Sequence, residues 1–123
     1  MPVATGPDKL RDAGRVAGAR LLDRADRPTA IIALSDVLAI GILEAAAERG
    51  ISVPGELSVA GFDDVPEAAK AAPPLTTIRQ PHQRKGSEAV RLLLEGPEAE
   101  SVLLPIELVV RASTAPAPGK ELP

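Results

Sequence analysis

The feature that most constrains this chain is a recurring unit: a short apolar run that ends in polar residues and gives way to a helical stretch. Thr29 to Leu34 (TAIIAL) is the first such run, closed at once by Ser35-Asp36 and followed by helical spacing from Val37 to Arg49. Leu57 to Phe62 (LSVAGF) is the second, closed by Asp63-Asp64. Leu75 to Ile78 (LTTI) is the third, followed by Arg79-Gln80-Pro81-His82. Strands separated by helices build right-handed βαβ units in a mostly parallel sheet. The expected fold is α/β, a three-layer α/β/α sandwich, and the unbroken apolar character of TAIIAL predicts a strand covered on both faces. Ligands of open parallel sheets bind beyond the carboxyl ends of the strands. That rule singles out Ser35-Asp36, Asp63-Asp64 and the segment Arg79 to His82.

The remaining elements follow from spacing and punctuation. Leu10, Ala13, Ala17, Leu21, Leu22 and Ala25 recur at helical intervals, with Gly14 and Gly18 on the same side, where a neighbour can approach closely. Ser35 or Asp36 suits the N-cap of the next helix and Gly50 its C′ position. The run Val37 to Leu43 is apolar without a break, so that helix must be covered on more than one side. Val53-Pro54-Gly55-Glu56 reads as a type II turn. Pro66 to Ala72 reads as a short helix stopped by Pro73-Pro74. Gln83 to Glu95 is helical with Gly86, Ala89, Val90, Leu93 and Leu94 as its apolar side, and Val102 to Arg111 is a final strand whose Pro105 marks an edge or a crossover.

Composition excludes several classes of function. The chain has no cysteine among its 123 residues, so disulfides, thiol nucleophiles and Cys-ligated zinc are out. One His cannot build a multi-His metal site, and no metal or cofactor is expected. With Phe62 as the sole aromatic, there is no base-stacking platform, and a net charge of −3 argues against DNA binding by the chain itself. Phosphate-cradling glycine motifs and a G-x-S-x-G elbow are absent, and His82 has no obvious orienting partner. The strand-end carboxylates do not follow a receiver-type order, since the acidic pair comes after the lone Asp36 and no Lys follows LTTI. The chain reads as a non-enzyme. No signal-like segment is visible, and the longest apolar run falls far short of the roughly 20 residues a membrane helix needs. A soluble, cytoplasmic protein is expected.

Five segments in order carry a resemblance. They are Pro28 to Asp36, Gly50-Ile51-Ser52-Val53-Pro54, Leu57 to Asp64, Pro73 to Pro81, and Leu104 to Thr114. Their order and spacing resemble the lactose/galactose-repressor (LacI/GalR) family over about Asp8 to Pro116. The resemblance implies a dimeric bacterial transcription regulator with a helix-turn-helix headpiece and a two-lobed, periplasmic-binding-protein-like (type I) effector domain. This chain resembles the C-terminal lobe, about the last third. Residues 1–9 are expected to be a disordered or remnant segment, residues 10–114 the partial lobe, and residues 115–123 a disordered tail. The helix over residues 83–95 would normally pack on the first lobe. The expected function is the ligand-sensing and dimerisation portion of a regulator that responds to a sugar or small metabolite. The alternatives are a stand-alone interaction module without effector binding, or the second lobe of a sugar-binding protein.

Within that resemblance, Asp36 is the leading ligand contact, ahead of a simple cap at a helix N-terminus. Gln80 can both donate and accept, as sugar recognition needs, and His82 stands beside it. Asp63 belongs to the candidate set as well, although with Asp64 it is weighed mainly as organising the pocket rim. Ser35 is expected only to shape the turn, and Asp8 falls near a polar contact of the family but matches poorly. The dimer face implied by the resemblance comprises Leu10, Ala13, Ala17, Leu38, Ile40 and Ile42.

Overall fold

A computed structural model of the protein describes residues 7–119. The element order is α1 (Pro7–Leu22), β1 (Ala30–Ile32), α2 (Asp36–Glu48), β2 (Ser58–Ala60), α3 (Pro66–Lys70), β3 (Thr77–Arg79), α4 (His82–Glu95) and β4 (Glu107–Val109). β1 and β2 pair in parallel, Ile31 opposite Val59. β3 and β4 pair antiparallel, Ile78 opposite Leu108. Parallel bridges from Ala60 to Thr76 and from Asp63 to Arg79 join the two pairs into one array.

The α1–α2 pairing is the best-packed part of the molecule, and glycine makes it possible. A Cβ on Gly14 would land on the Leu38 carbonyl oxygen, and one on Gly41 would land on that of Arg11. The helices therefore touch backbone to backbone, and a Cβ on Gly18 would sit only 3.1 Å from the Ile42 Cα. The close approach predicted for the Gly14–Gly18 side is made within the chain. Arg15 pairs with Glu48 at 2.7 Å and Arg11 pairs with Glu44 along the seam, exposed contacts worth roughly 0.2–1 kcal/mol each. Ser35 caps α2, its hydroxyl accepting from the Leu38 N–H at 3.3 Å, and Gly50 follows the helix at φ +65°.

Beneath these helices, Ile31, Ala33, Leu57, Val59 and Leu75 complete one core with Leu22, Ile42, Leu43 and Ile51. The cover expected on both faces of β1 is met on one. Ile32 is 80% exposed and Leu34 is 87% exposed, because alternate residues of an extended chain point to opposite faces and no described helix lies over the second. α4 buries none of its residues either, leaving Val90, Leu93 and Leu94 open to solvent.

Other departures are local. Gly55 does not take the positive φ that a type II turn demands; instead the Glu56 and Leu57 N–H groups both donate to the Ser52 carbonyl, across a cis Val53–Pro54 bond. α1 starts at Pro7, inside the segment read as remnant, and ends at Leu22, before a loop that carries the exposed Arg24–Asp26 and Arg27–Glu56 pairs. The final strand shrinks to three residues, since only those find a partner on β3. Just past residue 114, the Ala115 N–H donates to Ser58 Oγ at 3.1 Å, and Ser58 Oγ donates to the Ala115 carbonyl at the same distance. Residues 1–6 of the expected remnant segment, and residues 120–123 of the expected tail, lie outside the described residues.

Candidate functional site

The three strand ends converge as predicted, but they do so in two tiers. The inner tier is built on Asp36, which is 0% exposed. Its Oδ1 accepts the Thr77 hydroxyl at 2.5 Å, its Oδ2 accepts the Val65 N–H at 2.9 Å, and its own N–H donates to the Phe62 carbonyl. Gly61 passes so close that a Cβ there would meet Asp36 Oδ1. Burial pushes the Asp36 carboxyl above the ordinary carboxylate value; the bonds from Thr77 and Val65 oppose that shift and the charges of Asp63 and Asp64 add to it. Asp36, the expected leading ligand contact, is thus buried with one protein donor on each oxygen. Both of its oxygens tie the start of α2 to β3 and to the loop after β2, so it works inside the wall of the site.

The outer tier is Asp63, Gln80 and His82. Asp63 is half-buried and sits at φ 116°, a backbone conformation that non-glycine residues rarely adopt and that costs on the order of 1–3 kcal/mol. Its Oδ1 accepts Gln80 Nε2 at 2.7 Å, and its main-chain carbonyl accepts His82 Nε2–H at 2.8 Å. Lys85 Nζ donates to Gln80 Oε1 at 3.1 Å, so a cation backs the amide. Asp63 Oδ2 takes no hydrogen bond from the described residues. His82 is the first residue of α4 and not part of an inter-strand loop, which is why its ring can turn back onto Asp63.

Asp64 lies between the tiers at φ 54°. Arg79 Nε and Arg111 Nη2 each donate to its carboxylate at 2.7 Å, and its N–H reaches Thr77 Oγ1 at 3.4 Å. Burial alone would raise this carboxyl, but the bonds and charges of the two arginines together hold it below the ordinary value. Arg79, Arg111 and Thr77 had no role expected from the sequence. The signal available was a cation next to each crossover strand and a second hydroxyl in LTTI.

An open cleft of about 330 Å³ between α4 and residues 102–106 is lined by Gln80, Lys85, Ala89, Leu92, Leu104 and Ile106, and touches the outer tier only through Gln80. Among the described residues no cluster of His, Asp and Glu has the arrangement to hold a metal ion. On the proposed dimer face, Leu10, Ala13 and Ala17 are exposed on α1, and Ile40 lies half-buried in a shallow groove with Arg11, Glu44 and Lys70. Ile42, 5% exposed, belongs to the core, and Leu38 packs partly against it. Ile42 is removed from that face, because the α1–α2 crossing buries it.

Residues 2–114 match the family model of the periplasmic binding protein-like domain. The chain belongs to that family. Its sequence and fold are those of the effector-domain region of LacI/GalR-type regulators. It is 45% identical over 115 residues to the HTH-type transcriptional regulator MalR of Streptomyces coelicolor, covering 89% of this chain and 33% of the relative. A LacI family transcriptional regulator from Bifidobacterium animalis superposes with a TM-score of 0.79 at 38% identity, over 87% of this chain and 41% of that one. A LacI family regulator from Lactobacillus casei, solved with bound glucose, gives 0.73 at 32% identity, over 85% and 39%. The chain thus spans about a third of the length of the curated relatives it matches. Those relatives are named as transcriptional regulators and not as enzymes, and among the described residues no helix is long and apolar enough to cross a membrane.

Proposed function

We propose that this chain is the ligand-sensing and dimerisation portion of a cytoplasmic LacI-type transcriptional regulator, responding to a sugar or a similar polyhydroxy metabolite. Asp63 Oδ2 carries this reading: a carboxylate oxygen of a half-buried residue at a strand end, without a donor among the described residues, beside an amide and an imidazole. A carboxylate accepts from hydroxyl groups, while Gln80 and His82 can donate or accept, which together match a sugar's mixed hydroxyl edge. The strained backbone at Asp63 has the placement expected of a functional position. Glucose bound in the Lactobacillus casei relative supports the ligand class. Ligand binding would shift the population of DNA-competent dimers through its differential affinity for the two states, DNA being contacted by a helix-turn-helix headpiece. The interaction-module alternative draws on the exposed apolar side chains of α4, which suit a partner surface more than a sugar.

One lobe cannot enclose a ligand, and pockets ordinarily bury most of a small ligand's surface. The full chain is therefore expected to bind sugars no more tightly than about 1 mM, near −4 kcal/mol. A titration of the ¹⁵N-labelled chain with mono- and disaccharides, followed by amide shifts, tests this. Shifts clustered at Ser35, Asp63, Gln80 and His82, and abolished by Asp63→Ala, are the expected result. Shifts confined to the cleft along α4, or low-micromolar affinity, would overturn it.

A further inference from the structure

We infer that Asp64 is a positioning residue: it clamps the two strands from which α4 and residues 96–106 extend, and so sets where Gln80 and His82 stand relative to Asp63. The chain leaves the core through β3 and returns through β4, and α4 buries no residue of its own against the rest. Its orientation therefore depends on how those two strands are held. Arg79, the last residue of β3, and Arg111, two residues past the end of β4, both donate to the one Asp64 carboxylate at 2.7 Å. Arg111 also donates through Nη1 to the Leu75 carbonyl at 3.0 Å, and Arg79 reaches Glu107 on β4 at 3.6 Å. Each arginine thus fixes its own strand and the strand opposite.

The clamp is anchored on the core side as well. The Asp64 N–H and the Asp36 carboxylate share the Thr77 hydroxyl, at 3.4 and 2.5 Å. One chain of polar contacts then runs from the start of α2, through β3, to both exits. Asp63 and Asp64 are adjacent, so any shift of the clamp moves the donors that meet Asp63. That role in ligand sensing rests on the effector-site reading above, whereas the distance measurement below involves no ligand, so each can fail without the other.

The chain has no cysteine, so pairs of introduced thiols can carry spin labels cleanly. Labels on Ala47→Cys in α2 and Ser87→Cys in α4, diluted in unlabelled protein, report the exit direction by pulsed electron–electron resonance. A second pair, Arg20→Cys with Glu67→Cys, reports the core. Asp64→Asn and, separately, Arg79→Gln are expected to broaden and shift the α2–α4 distance distribution while leaving the core pair unchanged. The Arg79 side chain is 51% exposed, so its removal keeps the measurement decisive if Asp64→Asn fails to fold. An unchanged α2–α4 distribution in Arg79→Gln, or equal broadening of both pairs, would overturn the inference.

Discussion

Asp36 and Asp64 are neighbouring carboxylates with opposite environments, and each has its own consequence. Replacing Asp36 with Ala leaves the buried Thr77 hydroxyl without its acceptor, at about 1–3 kcal/mol, and the part-buried Val65 N–H as well. Urea unfolding of Asp36→Ala should show that loss, whereas Asp63→Ala, on the half-buried rim, should lose far less. The pH dependence separates the pair further. Burial raises the Asp36 carboxyl, so the folded chain holds its proton where the unfolded chain has released it. Its contribution to stability therefore falls as pH rises from the ordinary carboxylate value through the folded one. Asp64 is lowered, so its contribution is present above the ordinary value and fades as pH falls through the folded one. Unfolding across a pH series should show Asp64→Asn flattening the acid limb and Asp36→Asn removing the decline just above it. A curve unchanged in either variant would contradict that variant's assignment. Sequence placed both residues at strand ends, where polar groups gather. It could not say which turns inward, because that depends on Thr77 and Val65 reaching Asp36 across the fold.

At the scale of elements, the α1–α2 crossing yields a paired prediction. Gly41→Ala would drive a methyl into the Arg11 carbonyl, a backbone obstacle that can yield only by separating the helices. Overpacking of this kind typically costs about 1–3 kcal/mol. Gly86 on α4 has nothing within 4 Å of a Cβ, so Gly86→Ala should instead stabilise by roughly 0.5–1 kcal/mol through helix propensity. Denaturation midpoints moving in opposite directions would confirm the pair; equal shifts would refute it. The α2 helix was legible from its apolar run, its Ser35 cap and Gly50, all local signals. The open faces of β1 and α4 were not. TAIIAL and the Ala89–Leu94 stretch describe what could be buried, while burial also needs a covering element, and exposure of Ile32 and Leu34 shows that none of the described residues supplies it.

For the molecule as a whole, those uncovered side chains bear on self-association. Soluble monomers rarely keep large contiguous apolar patches exposed. Two faces compete as the contact. One lies on α1 and α2, where exposed Leu10 and Val16 accompany half-buried Ile40 in its groove. The other is the α4 side, with Val90, Leu93, Leu94 and Leu103. A twofold pairing buries the same patch on both subunits, and two rigid, well-packed helices present a better-defined patch than a helix with no buried residue. We therefore expect a homodimer through α1 and α2 at micromolar concentration. Sedimentation should show Ile40→Glu as a folded monomer. Ile42→Glu, two residues on and within the core, should lose the fold itself. Leu94→Glu should leave the dimer intact. A monomeric parent chain, or a dimer that survives Ile40→Glu and dissociates with Leu94→Glu, would move the interface off the α1–α2 face.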